Sequence, residues 1–419
     1  MTEEVPASGY REKHKFFYGY VIVVAAFFVM LVTSGTIYSY GVFVKPLIDE
    51  FGWSRAATSG VYSVALVVVG ILFTITGRLN DKFGPRRLLT VCGLVLGLAY
   101  FLGSRVQAVW QLYLVYGGLI AIGQSGSLIP MLSTVARWFN RRRDLMTGIV
   151  VAGVGVGQII MPPIATQLIT VYGWRTCYIV IGIIVLVLLV AMAQLLKRDP
   201  SQVGQLPDGA AGVKQETITI QATGMSRPEA IRTRQLWILF GMYICYGYMV
   251  QGIMVHLVPF ATDLGISAAA AASILSVLGA ITIIGRIGTG SLGDRVGHKK
   301  ELIFVFSLAV IAFIWLQFAK ELWMLYLFAV LFGFGYGALI ALESPLVAEL
   351  FGLKAHGALL GVIHLGATVG GATSPLLAGR IFDATGSYKI AFMVASGFVT
   401  AGLILATFLK LPRKETLKT

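Results

Sequence analysis

The chain has 419 residues, of which 57% are hydrophobic and only 12% charged, about half the charged share of a soluble globular domain. That balance excludes a water-soluble enzyme. The formal net charge of +14 does not signal a nucleic-acid partner, because the basic residues are dispersed in short segments between apolar runs.

In chain order, a polar and basic tail (1–16) precedes an apolar run too long for a signal-peptide core and without a small-residue cleavage site. Apolar stretches near 17–48, 57–79, 87–104, 109–137, 145–172 and 174–196 follow, most of them long enough for a bilayer crossing of about 17–25 residues. A connector rich in Gly, Pro, Thr and charges occupies 197–235. Six more stretches follow near 236–263, 267–292, 301–319, 322–350, 357–383 and 387–410, and a polar tail covers 411–419. The pattern predicts an all-α membrane protein with twelve transmembrane helices in two pseudo-symmetric six-helix bundles, 17–196 and 236–410. Cys92, Cys177 and Cys245 are few, widely separated and set in apolar runs, so neither a disulfide framework nor a metal site is expected, and no cofactor.

With the N-terminus placed inside, 25 of the 33 Lys and Arg fall in inner segments, among them Arg86, Arg141, Lys299 and Lys300. Six fall outside: Arg55, Arg105, Arg175, Lys320, Arg380 and Lys389. The positive-inside rule therefore puts both termini in the cytoplasm, in a multi-pass protein of the cytoplasmic membrane.

The halves repeat each other. Gly77-Arg-Leu-Asn-Asp81-Lys82-Phe-Gly84-Pro-Arg86-Arg87 recurs as Gly290-Ser-Leu-Gly-Asp294-Arg295-Val-Gly297-His-Lys299-Lys300, and Gly173 recurs as Gly386. Each copy reads as a tight inner turn built on glycine. Asp81 is placed to pair with Arg137 and with a neighbouring helix N-terminus, which makes Gly77, Asp81, Arg86, Arg137, Gly290, Asp294 and Arg295 candidate gating residues. Both copies resemble the signature loop of the major facilitator superfamily. The stretch Arg137-Trp138-Phe139-Asn-Arg141-Arg142-Arg143-Asp-Leu145, leading to Gly148 and Ala152-Gly153, resembles the fifth-helix signature of monocarboxylate transporters. The bacterial oxalate–formate antiporters are also similar, through Gly35-Thr-Ile-Tyr38-Ser39 and Arg286.

Two basic residues lie within apolar runs. Lys45 is about 42 Å along the first helix, at the outer interface, where its long stem reaches water. Arg286 lies roughly 12 Å from the inner surface, counted back from Asp294, which is too deep to be left uncompensated. A guanidinium fork matches a carboxylate, and Glu343 is read as a partner for loop bases near an inner helix end, so the missing anion is expected to be the substrate. The resemblance implies the same, since both similar families bind substrate at this arginine. Tyr38, Tyr246, Gln251, His256, Tyr336 and His364, with Gln124 and Ser127, lie at similar depth as candidate pocket groups; proton coupling runs either through His256, the best titratable candidate, or with the proton riding on the carboxylate itself.

The resemblance implies a proton-coupled symporter of a small monocarboxylate such as lactate or pyruvate, working as a monomer by alternating access. The alternative is a carboxylate exchanger of the oxalate–formate type. The chain departs from the first family at its helix 1 lysine, here Tyr38, and its helix 8 aspartate, here Thr282. It departs from the second at a helix 11 base, here Ile363.

Overall fold

The computed structural model describes residues 16–53, 55–209 and 224–411. The tails 1–15 and 412–419 and the middle of the connector fall outside these residues. So do the side chains or contacts on which the expectations for Lys45, Gly290, Asp294 and Arg295 rest.

The first span comprises α1 (Gly19–Tyr38) and α2 (Tyr40–Phe51), interrupted at Ser39, whose hydroxyl donates back to the Gly35 carbonyl at 2.7 Å. Two long helices follow, α3 (Arg55–Phe83) and α4 (Pro85–Gly103). The fourth span is assembled from α5 (Val109–Leu112), a π-helical stretch (Tyr113–Ile120), α6 (Ala121–Ser125) and α7 (Leu128–Trp138). Next, α8 (Arg143–Leu195) is two spans folded at Gly173, whose φ of 81° glycine adopts without strain. After a short α9 (Arg227–Ile231), the second half runs through α10 (Arg234–Asp263), α11 (Ala268–Val296) and α12 (His298–Leu316). It ends with α13 (Leu322–Phe351), α14 (His356–Thr385) and α15 (Lys389–Phe408). Counting the interrupted helices as single spans, and α8 as two, gives twelve among the described residues.

The repeat differs from its sequence reading in one respect. Gly77, Asp81 and their second-half counterparts are helical, and the turn is confined to one glycine in each copy, Gly84 at φ 80° and Gly297 at φ 90°. Helix runs through the motif to the glycine, and only the residue that must reverse the chain needs a left-handed backbone. Gly77 serves close approach instead: a Cβ there would overlap the carbonyl of Gly357 on α14.

The same pairing recurs in both halves. The first part of α8 packs on α1, where a Cβ on Gly157 would overlap the Leu31 carbonyl, and α14 packs on α10, where one on Gly370 would overlap the Ile244 carbonyl. Helices that lack a hydrophobic drive toward one another in lipid gain from this backbone proximity. On α4, Val91, Leu94, Leu98 and Leu102 are exposed at helical spacing, an apolar stripe that suits lipid rather than water.

The halves meet along two seams, α3 against α14 and α8 against α11. Close contacts on these seams, Gly77 with Gly357, Gly361 with Phe73 and Gly148 with the Arg286 carbonyl, lie toward the end that carries Gly84, Arg141 and Gly297, called here the basic end. Tyr38, deep in the first half, is nevertheless 42% accessible, so the space between the halves opens toward the opposite end.

Candidate functional site

Arg286 is a large side chain with 0% exposure, carried by α11 on the seam with α8. The glycines of α8 bring that helix close enough for this: Gly148 lies on the Arg286 carbonyl, and a Cβ on Gly155 would stand 3.1 Å from Nη1. Nη1 donates to the Val151 carbonyl at 3.1 Å, while Nε and Nη2 have no hydrogen-bond partner and the guanidinium has no carboxylate partner among the described residues. An unmet buried donor costs about 1–3 kcal/mol, and more when charged. The plane lies over the Tyr336 ring, 5.7 Å from its centroid, in the geometry of a cation–π contact.

Three further predicted residues join this cluster. Tyr38 faces Tyr336, Arg286, Tyr62 and the Gln158 side chain. Tyr246 faces Tyr336, Arg286, Tyr38 and Glu343, with its ring 6.1 Å from that of Tyr336. Tyr38, Tyr246, Arg286 and Tyr336 thus come from four helices to one place, Tyr38 from the first half and the other three from the second. The arrangement offers one fixed positive charge, spare N–H donors and a wall of phenols, which suits one small carboxylate.

The other predicted pocket groups lie elsewhere. His256, ten residues and about 15 Å beyond Tyr246 on α10, faces the Tyr388 hydroxyl at 3.2 Å and the Pro375 carbonyl at 3.1 Å. Gln251 packs on Gly371 of α14. Gln124 is turned into the first half, donating to the Thr33 carbonyl at 2.8 Å and to Thr36, and Ser127 caps its own chain at the Gln124 carbonyl. Thr282, at the place of the family's acid, bonds the Gly279 carbonyl rather than Arg286. Ile363 is fully buried.

Glu343 requires a correction. It does not serve the loop bases: it is 0% exposed, and both its oxygens face Nδ1 of His364, at 3.0 and 3.1 Å. The reason is the face on which it lies: Glu343 points to α14, where His364 meets it, so the carboxylate sits within the bundle.

At the basic end, Asp81 meets Arg137 at 3.4 Å and accepts from the amides of Gly357 and Ala358, the first turn of α14, at 3.3 and 3.0 Å. Arg137 also donates to the Leu353 carbonyl at 2.7 Å and reaches Asp199 at 3.6 Å. A second contact of this kind was not visible in the sequence. His298 faces Asp144 at 2.6 Å through Nε2 and Glu349 through Nδ1, and only a ring protonated on both nitrogens donates to both. The carboxylates belong to α8 and α13, so this contact also bridges the halves. Arg86, by contrast, bonds Gln194 within its own half, away from the seams. Tyr62, Gln158, Asp144, His298 and Glu349 were missed; the one signal available was His298 standing where the first copy of the repeat has Pro85.

Comparison with known proteins agrees with this architecture. A family model described as Major Facilitator Superfamily matches residues 25–316 and 239–419. Monocarboxylate transporter 13 of Rattus norvegicus is 30% identical over 388 residues, covering 92% of this chain and 87% of its own. Monocarboxylate transporter 2 of Homo sapiens is 24% identical, covering 92% and 84%. Among solved structures, the proton:xylose symporter XylE bound to 6-bromo-6-deoxy-D-glucose superposes with a TM-score of 0.74 at 16% identity, over 94% of this chain and 96% of that one. The Escherichia coli fucose:proton symporter does so at 0.71 and 15%, over 94% and 100%; at such identities the likeness is one of fold.

Proposed function

From the premise that this chain belongs to the monocarboxylate transporter family of the major facilitator superfamily, we propose that it carries a small monocarboxylate, such as lactate or pyruvate, together with a proton. It is a multi-pass membrane transporter, not an enzyme. The observation that carries the substrate reading is Arg286, a fully buried cation with two donors unmatched among the described residues. One such charge balances one carboxylate, and a dianion would bring an excess charge into a medium that penalises it. Ile363, buried and apolar where the oxalate–formate antiporters place a second base, weighs against dicarboxylate exchange.

In this reading the substrate enters from the open end and meets Arg286, with Tyr38, Tyr246 and Tyr336 around it and Gln251, His256 and His364 further along the same interior. The latches at Asp81–Arg137 and His298 then release, with Gly77, Gly290, Asp294 and Arg295 as the matching gate positions of the two copies, and the halves rock about the site. The basic end is the cytoplasmic one, as the charge distribution implies, and the membrane is the cytoplasmic membrane.

Uptake of labelled lactate, pyruvate, acetate, formate and oxalate into proteoliposomes tests this. Lactate or pyruvate should accumulate under an acid-outside gradient and acidify the lumen. Oxalate uptake that needs trans substrate, with no response to monoanions, would overturn the reading.

A further inference from the structure

Arg286 is not the only ionisable group fixed inside the bundle. Glu343 is fully buried, and its His364 partner is accessible over 15% of its side chain, so the imidazole is the part of the pair that meets water. The ring stands edge-on to Phe73 of α3, 5.1 Å between centroids, and therefore lies on a seam that must part when the basic end opens.

Among the described residues the groups around the pair are few. From α10, Tyr243 and Tyr246 face Glu343, and the Tyr243 hydroxyl is committed to the Leu339 carbonyl at 2.9 Å. From α11, Arg286 stands across Tyr246. The other charges are already engaged: Asp81 of α3 on α14 amides about 9 Å nearer the basic end, and Asp144 of α8 and Glu349 with His298 of α12. Arg137 of α7 and Arg143 of α8 flank His356, whose Nε2 faces the Ser344 carbonyl.

We propose that the Glu343–His364 pair holds the proton that travels with the substrate, an assignment that rests on the symport reading above. The argument is a charge count. Empty, the interior carries Arg286 positive and Glu343 negative, with His364 neutral, and sums to zero. Loaded, one proton has been added to His364 and one anion to Arg286, and the sum is again zero. A proton alone leaves +1 and an anion alone leaves −1, each costly in a low-dielectric interior, so only the empty and the doubly loaded carrier reorient readily. The proton enters and leaves through His364; no covalent bond to the substrate changes. His256, held by Tyr388 and a carbonyl far from Arg286, has no acidic partner among the described residues and offers no such compensation.

Glu343→Gln keeps the shape of the acid and, with His364 neutral, gives the pair the net charge it has when loaded. In proteoliposomes it should keep lactate counterflow within about threefold of the unmodified protein, because a loaded carrier needs no proton to be neutral. Lumen acidification should vanish and gradient-driven accumulation fall at least about tenfold, since the empty carrier now keeps the charge of Arg286. Lactate affinity of the unmodified protein should fall as pH rises, by as much as about tenfold per pH unit, and should be flat in the variant. Acidification by Glu343→Gln equal to that of the unmodified protein, or its loss in His256→Gln instead, overturns the assignment alone. Absence of acidification by the unmodified protein overturns the symport reading and this inference with it. Should Glu343→Gln not fold, lactate binding to the unmodified protein in buffers of different ionisation enthalpy counts protons directly. Uptake of one proton per lactate, lost in His364→Gln, is expected, and none taken up overturns the proposal.

Discussion

The basic end and the Arg286 cluster use the same kinds of side chain in opposite ways. At the basic end every described charge of the two latches is met: Asp81 by Arg137 and two amides, His298 by two carboxylates. In the cluster, the hydrogen bond from Nη1 to a carbonyl is all that the guanidinium makes among the described residues, beside its contact with the Tyr336 ring. A satisfied network on a seam holds two bodies together, whereas an unsatisfied buried cation has free energy left to gain from a ligand. Position alone does not distinguish the two sets, since both sit between the halves; the hydrogen-bond accounting does.

The contrast can be broken most severely at Arg286. Arg286→Lys keeps the charge but replaces a planar fork by a point donor, and so forfeits a large part of the about 2–5 kcal/mol that truncating one partner of a buried charged pair costs. Lactate binding should weaken by roughly a hundredfold or more, measured by ligand-induced thermal stabilisation of purified protein. Near-normal binding would show that the spare donors are not the site.

Asp81→Asn addresses the other region. The amide keeps one acceptor for the α14 amides but loses its attraction to Arg137, a charge-assisted contact of about 1–3 kcal/mol. Transport should slow by about tenfold while equilibrium lactate affinity stays within about threefold, and a cysteine placed at the basic end should become more accessible to labelling. Equal losses in rate and affinity would place Asp81 with the binding cluster rather than the latch.

Much of this division is legible in the sequence, because it follows from local period and depth. Helix lengths, the break at Gly173 and the depth of Arg286 are counts along one chain, and the duplicated Gly-Asp motif points to its own pairing with Arg137. What is not legible depends on which faces of distant helices meet. Glu343 reads as a partner for loop bases until its face is seen to meet His364 of α14, and His298 is gripped by residues 154 positions before it and 51 after it. The turn in the repeat was overestimated for a related reason: glycine at Gly77 looks the same in sequence whether it bends the chain or admits a neighbouring backbone.

The smallest expected effect sharpens what the phenols contribute to the open region. Tyr336 meets Arg286 through its ring face, and a cation–π contact is worth about 0.5–2 kcal/mol, depending on how dry the site is. Tyr336→Phe keeps that face and removes only the hydroxyl, so lactate affinity should change by no more than about threefold. Tyr336→Leu removes the ring as well, leaves the guanidinium plane unsupported, and should cost about tenfold. The comparison of the two variants, by the same thermal stabilisation measurement, separates a wall that orients the arginine from a hydroxyl that binds the anion itself. A loss in Tyr336→Phe as large as in Tyr336→Leu would assign the hydroxyl to the substrate carboxylate, and the cluster would then hold its anion by two donors from different helices rather than by Arg286 alone.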